Sequence, residues 1–76
     1  MYYILTEDTQ IQRDKLKLIA SGGYRETIYK DKPILYFIFN SNSKKKLHIV
    51  SELTEKGLSP NSILHILPYT GLLLQH

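Results

Sequence analysis

The chain has 76 residues, of which 42% are hydrophobic, and it contains ten Lys and Arg, seven Asp and Glu and no cysteine. A chain of this length buries only about 60% of the surface that its unfolded form exposes, so most of its apolar residues are needed for one small core. This size excludes a deep catalytic cleft between domains, and the lack of cysteine excludes a disulfide framework and a cysteine zinc site. We therefore predict a single small domain over residues 1–76, suited to the reducing environment of the cytoplasm.

The sequence predicts no membrane partner. The first eight residues carry no Lys or Arg, so no signal peptide is expected. The longest continuous apolar run, residues 34–39, is far shorter than the roughly 20 residues that cross a bilayer as a helix. A net charge of +3 permits a polyanionic partner without requiring one.

The first third of the chain predicts a strand followed by a helix. Residues 2–5 are rich in strand-forming side chains, and Asp8 or Thr9 can cap a helix near 9–20 that ends at the glycines after Ser21. The alternation of Lys and Leu over residues 15–18 would equally suit a strand that turns back at those glycines. The helix is the favoured interpretation.

The middle of the chain predicts an antiparallel hairpin. Residues 24–30 and 34–39 are rich in aromatic and β-branched side chains, and they flank a short turn-forming insert at 31–33. The second strand is apolar on both faces, which predicts a central strand covered on each side. Polar residues 40–43 then supply candidate N-caps for a helix.

The last third predicts a pair of helices. A helix near 44–56 has Leu47, Val50 and Leu53 at a spacing of three, and Ser59 with Pro60 begins a second helix near 60–67. The predicted architecture is therefore α+β: a small antiparallel sheet with strands near 2–5, 24–30 and 34–39, packed with a helix near 9–20 and this C-terminal helix pair.

The link between these two helices resembles the second half of a helix-turn-helix motif. Gly57 would allow the turn, Leu58 would fill the space between the helices, and Ile63 and Ile66 would hold the second helix down. Four polar side chains would then point outward to meet phosphates or base edges: Ser59, Asn61, Ser62 and His65. The alternative is an ordinary short connection between two antiparallel helices.

A run of three lysines opens the first helix of this pair: Lys44, Lys45 and Lys46. Cations in a first turn oppose the positive end of the helix dipole, and a bound phosphate would relieve that conflict. The alternative is a solvated loop whose charges only keep the protein soluble.

Aromatic residues offer a second route to nucleic acid, because strand aromatics beside lysines can stack bases of a single strand. The candidates are Tyr24, Tyr29, Tyr36, Phe37 and Phe39. No glycine-aromatic signature of an RNA-binding strand accompanies them, so core packing is the favoured role.

Catalytic, metal and cofactor sites find little support. His48, His65 and His76 lack the spacing of a zinc helix, and no serine has the context of a nucleophile elbow. We therefore expect no enzyme, no metal and no cofactor.

Two functions remain. The first is a small non-catalytic regulator that binds nucleic acid, DNA more readily than RNA, through the lysine run and the helix-turn-helix-like pair. The alternative is a compact protein-interaction module with one protein target, such as an inhibitor or adaptor of the kind that phages and mobile elements encode. Either could act as a homodimer, because residues 34–39 and the leucines at 72–74 exceed what one small core can hide.

Overall fold

A four-stranded antiparallel sheet with two helices forms the fold, in a computed structural model that describes residues 1–69. The elements follow in chain order: β1 (Tyr2–Glu7), α1 (Gln10–Ile19), β2 (Arg25–Tyr29), β3 (Lys32–Phe39), α2 (Lys46–Glu55), a 3-10 turn (Pro60–Ser62) and β4 (Ile63–Pro68). The strand order is β2-β3-β1-β4, and every neighbouring pair is antiparallel. This order of elements is the split βαβ, or ferredoxin-like, topology.

Both helices pack on the same face of the sheet. Side chains alternate between faces along a strand, so Ile4, Leu35 and Phe37 share one face. They form one buried cluster with Leu16 of α1 and with Ile49 and Leu53 of α2. The opposite face therefore carries no helix among the residues that the structure describes.

Local signals set the limits of α1. The side chain of Thr9 accepts a hydrogen bond of 3.1 Å from the backbone N–H of Gln12, which makes Thr9 the N-cap. After the helix, Gly23 adopts a φ of 83°, a left-handed conformation that glycine tolerates best. Leu16 faces the core, whereas Ile11 and Leu18 point into solvent, which explains why the apolar residues of this helix follow no single stripe.

The predicted C-terminal helix pair, and with it the predicted architecture, is wrong. One helix lies between β1 and β2, the other lies between β3 and β4, and residues 63–68 form a strand rather than a second helix. β4 pairs with β1 along its length, from Thr6 opposite Ile63 to Tyr2 opposite Pro68. A helix there would have left the outer edge of β1 without backbone partners, and Pro68 is tolerated because β4 is an edge strand. The helix-turn-helix interpretation is therefore also wrong, because its second helix is absent and residues 63–68 form β4.

The two predicted connections around β3 are also corrected. The hairpin turn consists of Lys30 and Asp31, and Pro33 lies within β3 opposite Ile28. The N-cap of α2 is Lys45, which makes no side-chain capping bond, so none of the four preceding polar residues fills that position. The inward-facing side chains of α2 differ from the predicted spacing. Ile49 and Leu53 are buried, while Leu47 is 82% exposed.

The leucines at 72–74 lie outside the described residues.

Candidate functional site

The face of the sheet opposite to α1 and α2 is the candidate site, and we call it the open face. Three of its side chains are almost fully buried: Tyr3, Leu5 and Ile34. Within residues 1–69 no helix packs on this face, and larger side chains of the same face cover these three residues. Tyr29, Tyr36 and Leu67 pack directly against them. The outer layer of the open face is therefore largely aromatic.

The aromatic rings of the open face form two groups. Tyr3 lies at the centre of the first, with its ring centroid 5.7 Å from that of Tyr36 in an edge-on arrangement and 5.1 Å from that of Tyr69. Tyr29 and His65 form the second group, with centroids 5.5 Å apart and an angle of 62° between the planes. These separations are typical of paired aromatic side chains, so the rings hold one another in place.

Burial sets the chemistry of the central tyrosine. Tyr3 is only 4% exposed, and its pKa is raised because burial disfavours the phenolate and because Tyr69 and Tyr36 lie beside it. Tyr69 is 44% exposed and continues the sheet, since its backbone N–H donates to the carbonyl of Met1 at 3.0 Å. The buried ring of Tyr3 thus packs against the partly exposed ring of Tyr69.

Cations flank these rings. Arg25 lies opposite Tyr36 in the register of β2 and β3, and Lys32 lies opposite Tyr29. The Nζ atom of Lys30 is 5.5 Å from the centroid of the Tyr29 ring, within the range of a cation–π contact. Glu7, opposite Ile34 in the register of β1 and β3, adds a carboxylate to this face. The open face therefore combines aromatic rings with three cations, Arg25, Lys30 and Lys32.

A pocket of about 420 Å³ opens at one end of this face, and we call it the end pocket. Its walls come from the β1–α1 connection, the β2–β3 hairpin and the start of β4. They are formed by Glu7, Asp8, Thr9, Tyr29, Lys30, Lys32, Pro33, Ile34, Leu64 and His65. The second aromatic pair therefore lines the end pocket as well as the open face.

Arg13 forms an ion-pair network beside the end pocket. Its Nε atom lies 2.8 Å from Oδ1 of Asp8 and a second guanidinium nitrogen lies 2.9 Å from Oδ2, while the third contacts the carboxylate of Glu26. Hydrogen bonding from Arg13 lowers the pKa of Asp8, and the two carboxylates raise the pKa of Arg13. All three guanidinium nitrogens of Arg13 thus contact carboxylates of the same chain, so Arg13 is a poor candidate for contacting phosphate.

The predicted lysine run lies at the opposite end of the sheet from the end pocket. Lys44, Lys45 and Lys46 are all exposed, and they follow the end of β3. Ser43 organises the loop before them, since its Oγ accepts from the N–H of Lys45 at 3.1 Å and its carbonyl accepts from the hydroxyl of Tyr2 at 2.7 Å. The lysine run therefore sits on an ordered connection.

The other predicted contact residues do not meet these lysines. Ser59, Asn61 and Ser62 lie in or beside the 3-10 turn that precedes β4, where the hydroxyl of Ser62 donates to the carbonyl of Ser59 at 2.7 Å. The register places the start of β4 beside Thr6 and its end beside Tyr2, so the turn and the lysine run lie at opposite ends of β4. His65 alone among the four reaches the open face.

The aromatic candidates divide between the two faces of the sheet. Phe37 is buried in the helix-side core, and Tyr24 and Phe39 pack against that core. Tyr29 and Tyr36 belong to the open face. Sequence reasoning missed Tyr3 and Tyr69. The alternation along β1 could have separated Tyr3 from Ile4, but no local signal places Tyr69 beside it.

Comparison with known proteins supplies no relative: no protein-family model, curated protein or solved structure matches the chain significantly. Within residues 1–69, no three His, Asp or Glu side chains are grouped so that they could hold a metal ion. In the same range, no helix has the length and apolar character that crossing a membrane requires.

Proposed function

We propose that this protein is a small non-catalytic regulator that binds single-stranded nucleic acid on its open face, with the cytoplasm as its place of action. The observation that carries the proposal is the aromatic layer of that face, flanked by Arg25, Lys30 and Lys32. The site lies on strands and not on a recognition helix. The proposed mode of binding is therefore stacking of unpaired bases on aromatic side chains of the sheet, and not recognition of duplex DNA by a helix.

Stacking explains why rings on neighbouring strands suit a single strand. Every base has a π-face, and an aromatic side chain contributes about 1–3 kcal/mol per stacked base with little regard to sequence. Four-stranded sheets of RNA-recognition motifs bind two or three bases in this manner. By analogy with that fold, Tyr36 and Tyr69 on one side of the sheet and Tyr29 on the other would offer comparable platforms.

Phosphate contacts would come from the flanking cations. Arg25 and Lys32 lie on strands of the open face, and Lys30 adjoins the Tyr29 ring. Lys44, Lys45 and Lys46 could extend the path at the far end of the sheet, where Tyr69 also lies. Ser59, Asn61 and Ser62 have no recognition helix beneath them, so we assign them no base contact.

The test is an anisotropy titration of labelled oligonucleotides at low salt, with single-stranded DNA, single-stranded RNA and duplex DNA compared. We expect the single strands to bind more tightly than the duplex. Tyr36→Leu should weaken binding about 5- to 150-fold through the lost stacking, whereas the matched variant Tyr24→Leu removes a tyrosine from the other face and should not. Circular dichroism of both variants confirms that they fold.

Salt dependence supplies an independent readout. Each phosphate contact on a single strand adds about 0.7 to the slope of log affinity against log salt. Lys32→Gln should therefore reduce that slope, while Lys17→Gln, an exposed lysine of α1, should leave it unchanged. Failure of all three nucleic acids to bind at micromolar protein would exclude the proposed function.

A second candidate function is the compact protein-interaction module with one protein target. The observation that favours it is an exposed apolar stripe on α1: Ile11 is 71% exposed and Leu18, seven residues later on the same side of the helix, is 87% exposed. Affinity capture separates the two functions. A stoichiometric protein partner that survives nuclease treatment and is lost on Leu18→Lys supports the module.

A further inference from the structure

We infer that the end pocket binds a single nucleobase that carries an amino group on its pairing edge, with the attached phosphate held by Lys30 and Lys32. This inference rests on the proposed function and gives it a base preference. The ligand is the same chemical unit whether it belongs to a single strand or to a free nucleotide.

The shape and surface of the end pocket suit a flat ring. Its volume of about 420 Å³ lies in the usual range for pockets that bind small ligands. The apolar part of the lining comes from Pro33, Ile34 and Leu64. The rings of Tyr29 and His65 add two aromatic surfaces set at 62° to each other. A base could stack on one of these rings while the other closes the side of the pocket.

Two carboxylates line the end pocket, those of Glu7 and Asp8. Both oxygens of Asp8 accept hydrogen bonds from Arg13. Within residues 1–69, the Glu7 carboxylate takes part in no hydrogen bond or ion pair of the protein. Of the two carboxylates that line the pocket, that of Glu7 is therefore the one able to accept from a ligand.

A carboxylate acceptor discriminates between bases. Cytosine, adenine and guanine present an amino group that donates to it, as carboxylate side chains accept from the cytosine amine in DNA recognition. Thymine and uracil present one N–H between two carbonyl oxygens, and those oxygens repel the carboxylate. Lys30 and Lys32 line the same pocket and offset the negative charge of a phosphate.

The experiment measures dissociation constants of AMP, CMP and UMP by NMR titration, and of short labelled adenine, cytosine and thymine oligonucleotides by anisotropy. We expect the amino-bearing bases to bind roughly tenfold more tightly than uracil or thymine, the effect of one well-placed hydrogen bond. The imidazole resonances of His65 should shift during the AMP titration, which locates the ligand at the pocket.

Two variants test the role of Glu7. Glu7→Ala should abolish the preference while leaving uracil and thymine binding unchanged or stronger, because a negative charge has been removed. Glu55→Ala removes the same charge from an exposed position outside the end pocket and should keep the preference. Comparison of the two variants thus separates the loss of the Glu7 acceptor from the general effect of removing one negative charge on the ratio of adenine or cytosine affinity to uracil or thymine affinity.

The outcomes separate the inference from the proposed function. Oligonucleotide binding without a base preference, or with a preference that survives Glu7→Ala, overturns the inference and leaves the function in place. Preferential binding of AMP and CMP without oligonucleotide binding supports the pocket as a nucleotide site and overturns the function. Binding of no nucleotide and no oligonucleotide overturns both.

Discussion

Arg13 and Asp8 make the stability of the protein sensitive to acid. Hydrogen bonding from Arg13 lowers the pKa of Asp8 in the folded state. A depressed folded pKa contributes stability that is fully present above the unfolded value of about 4 and is lost as the pH falls through the folded value. We therefore expect the urea midpoint of the wild type to fall between about pH 4 and pH 2 by more than that of Asp8→Asn.

The control for this titration is Asp14→Asn. Asp14 accepts from Gln10 at 3.0 Å on the exposed side of α1 and makes no ion pair with Arg13. This variant should keep the acid sensitivity of the wild type. Equal pH profiles for Asp8→Asn and the wild type would contradict the assigned role of the ion pair.

The hairpin turn stores backbone strain at two residues that are not glycine. Lys30 and Asp31 have φ values of 51° and 65°, the pattern of a type I′ turn. Asp31→Gly would relieve roughly 1–2 kcal/mol of left-handed strain against an entropic cost of about 0.5–1 kcal/mol, so a net gain of about 0.5–1 kcal/mol is expected. Thermal unfolding measures the gain. Asp31→Ala retains a Cβ atom and should show none.

Short-range signals narrowed the N-cap of α1 to Asp8 or Thr9, of which the structure shows Thr9, but they failed at the hairpin turn. Pro33 and Asp31 are strong turn formers, so they predicted a turn over 31–33. The register instead places Pro33 opposite Ile28 in the sheet. Pairing with β1 begins only at Ile34, which lets a proline stand at this position of β3. The turn could be located only once the register was known.

The two faces of α2 differ sharply in burial. Leu53 is fully buried in the helix-side cluster, whereas Leu47 projects into solvent. Leu53→Ala should lower the free energy of unfolding by about 2–5 kcal/mol because it leaves a cavity. Leu47→Ala, the same substitution on the same helix, should change it by less than about 0.5 kcal/mol. Chemical denaturation measures both, and similar losses would contradict the placement of the helix.

Residues 63–68 illustrate why a short apolar run does not choose between helix and strand. Ile63, Leu64, Ile66 and Leu67 satisfy a helical spacing, and the pattern over so few residues suits a buried strand equally well. The backbone of β1 decides the matter, because its second edge needs hydrogen-bond partners and β4 supplies them. That partner lies about sixty residues earlier in the chain, beyond the reach of any local pattern.

Self-association stays a prediction, with altered support. The apolar side chains of β3 do not require a partner chain to bury them. Leu35 is buried in the helix-side cluster and Ile34 is buried on the open face. The remaining support is β4, which lies at an edge of the sheet among the described residues and carries no Asp, Glu, Lys or Arg, since an edge strand presents unpaired backbone groups to another chain. The leucines at 72–74 lie outside the described residues.

Sedimentation equilibrium at about 50 μM tests the homodimer. We expect a mass near twice the 8.9 kDa of the single chain. A closed pair through β4 would join the two sheets about a twofold axis. A mass of 8.9 kDa at this concentration would contradict the prediction.

Length, charge and alternation of side chains determined much of this protein without a structure. The observed α1 (Gln10–Ile19) and α2 (Lys46–Glu55) lie inside the predicted helical segments 9–20 and 44–56, because each combines a capping or stop signal with enough length to show a period. These are local properties that a chain carries in any conformation. Nucleic acid as a partner, predicted from the lysine run and the helix-turn-helix-like turn, stays a prediction.

Tertiary structure alone decided that β4 is a strand, that both helices share one face, and that Tyr3, Tyr29, Tyr36, His65 and Tyr69 meet on the other. It also separated the lysine run from the turn before β4 and from the end pocket. The physical reason is that sheet pairing joins backbone groups distant in sequence, and register determines which face each side chain occupies.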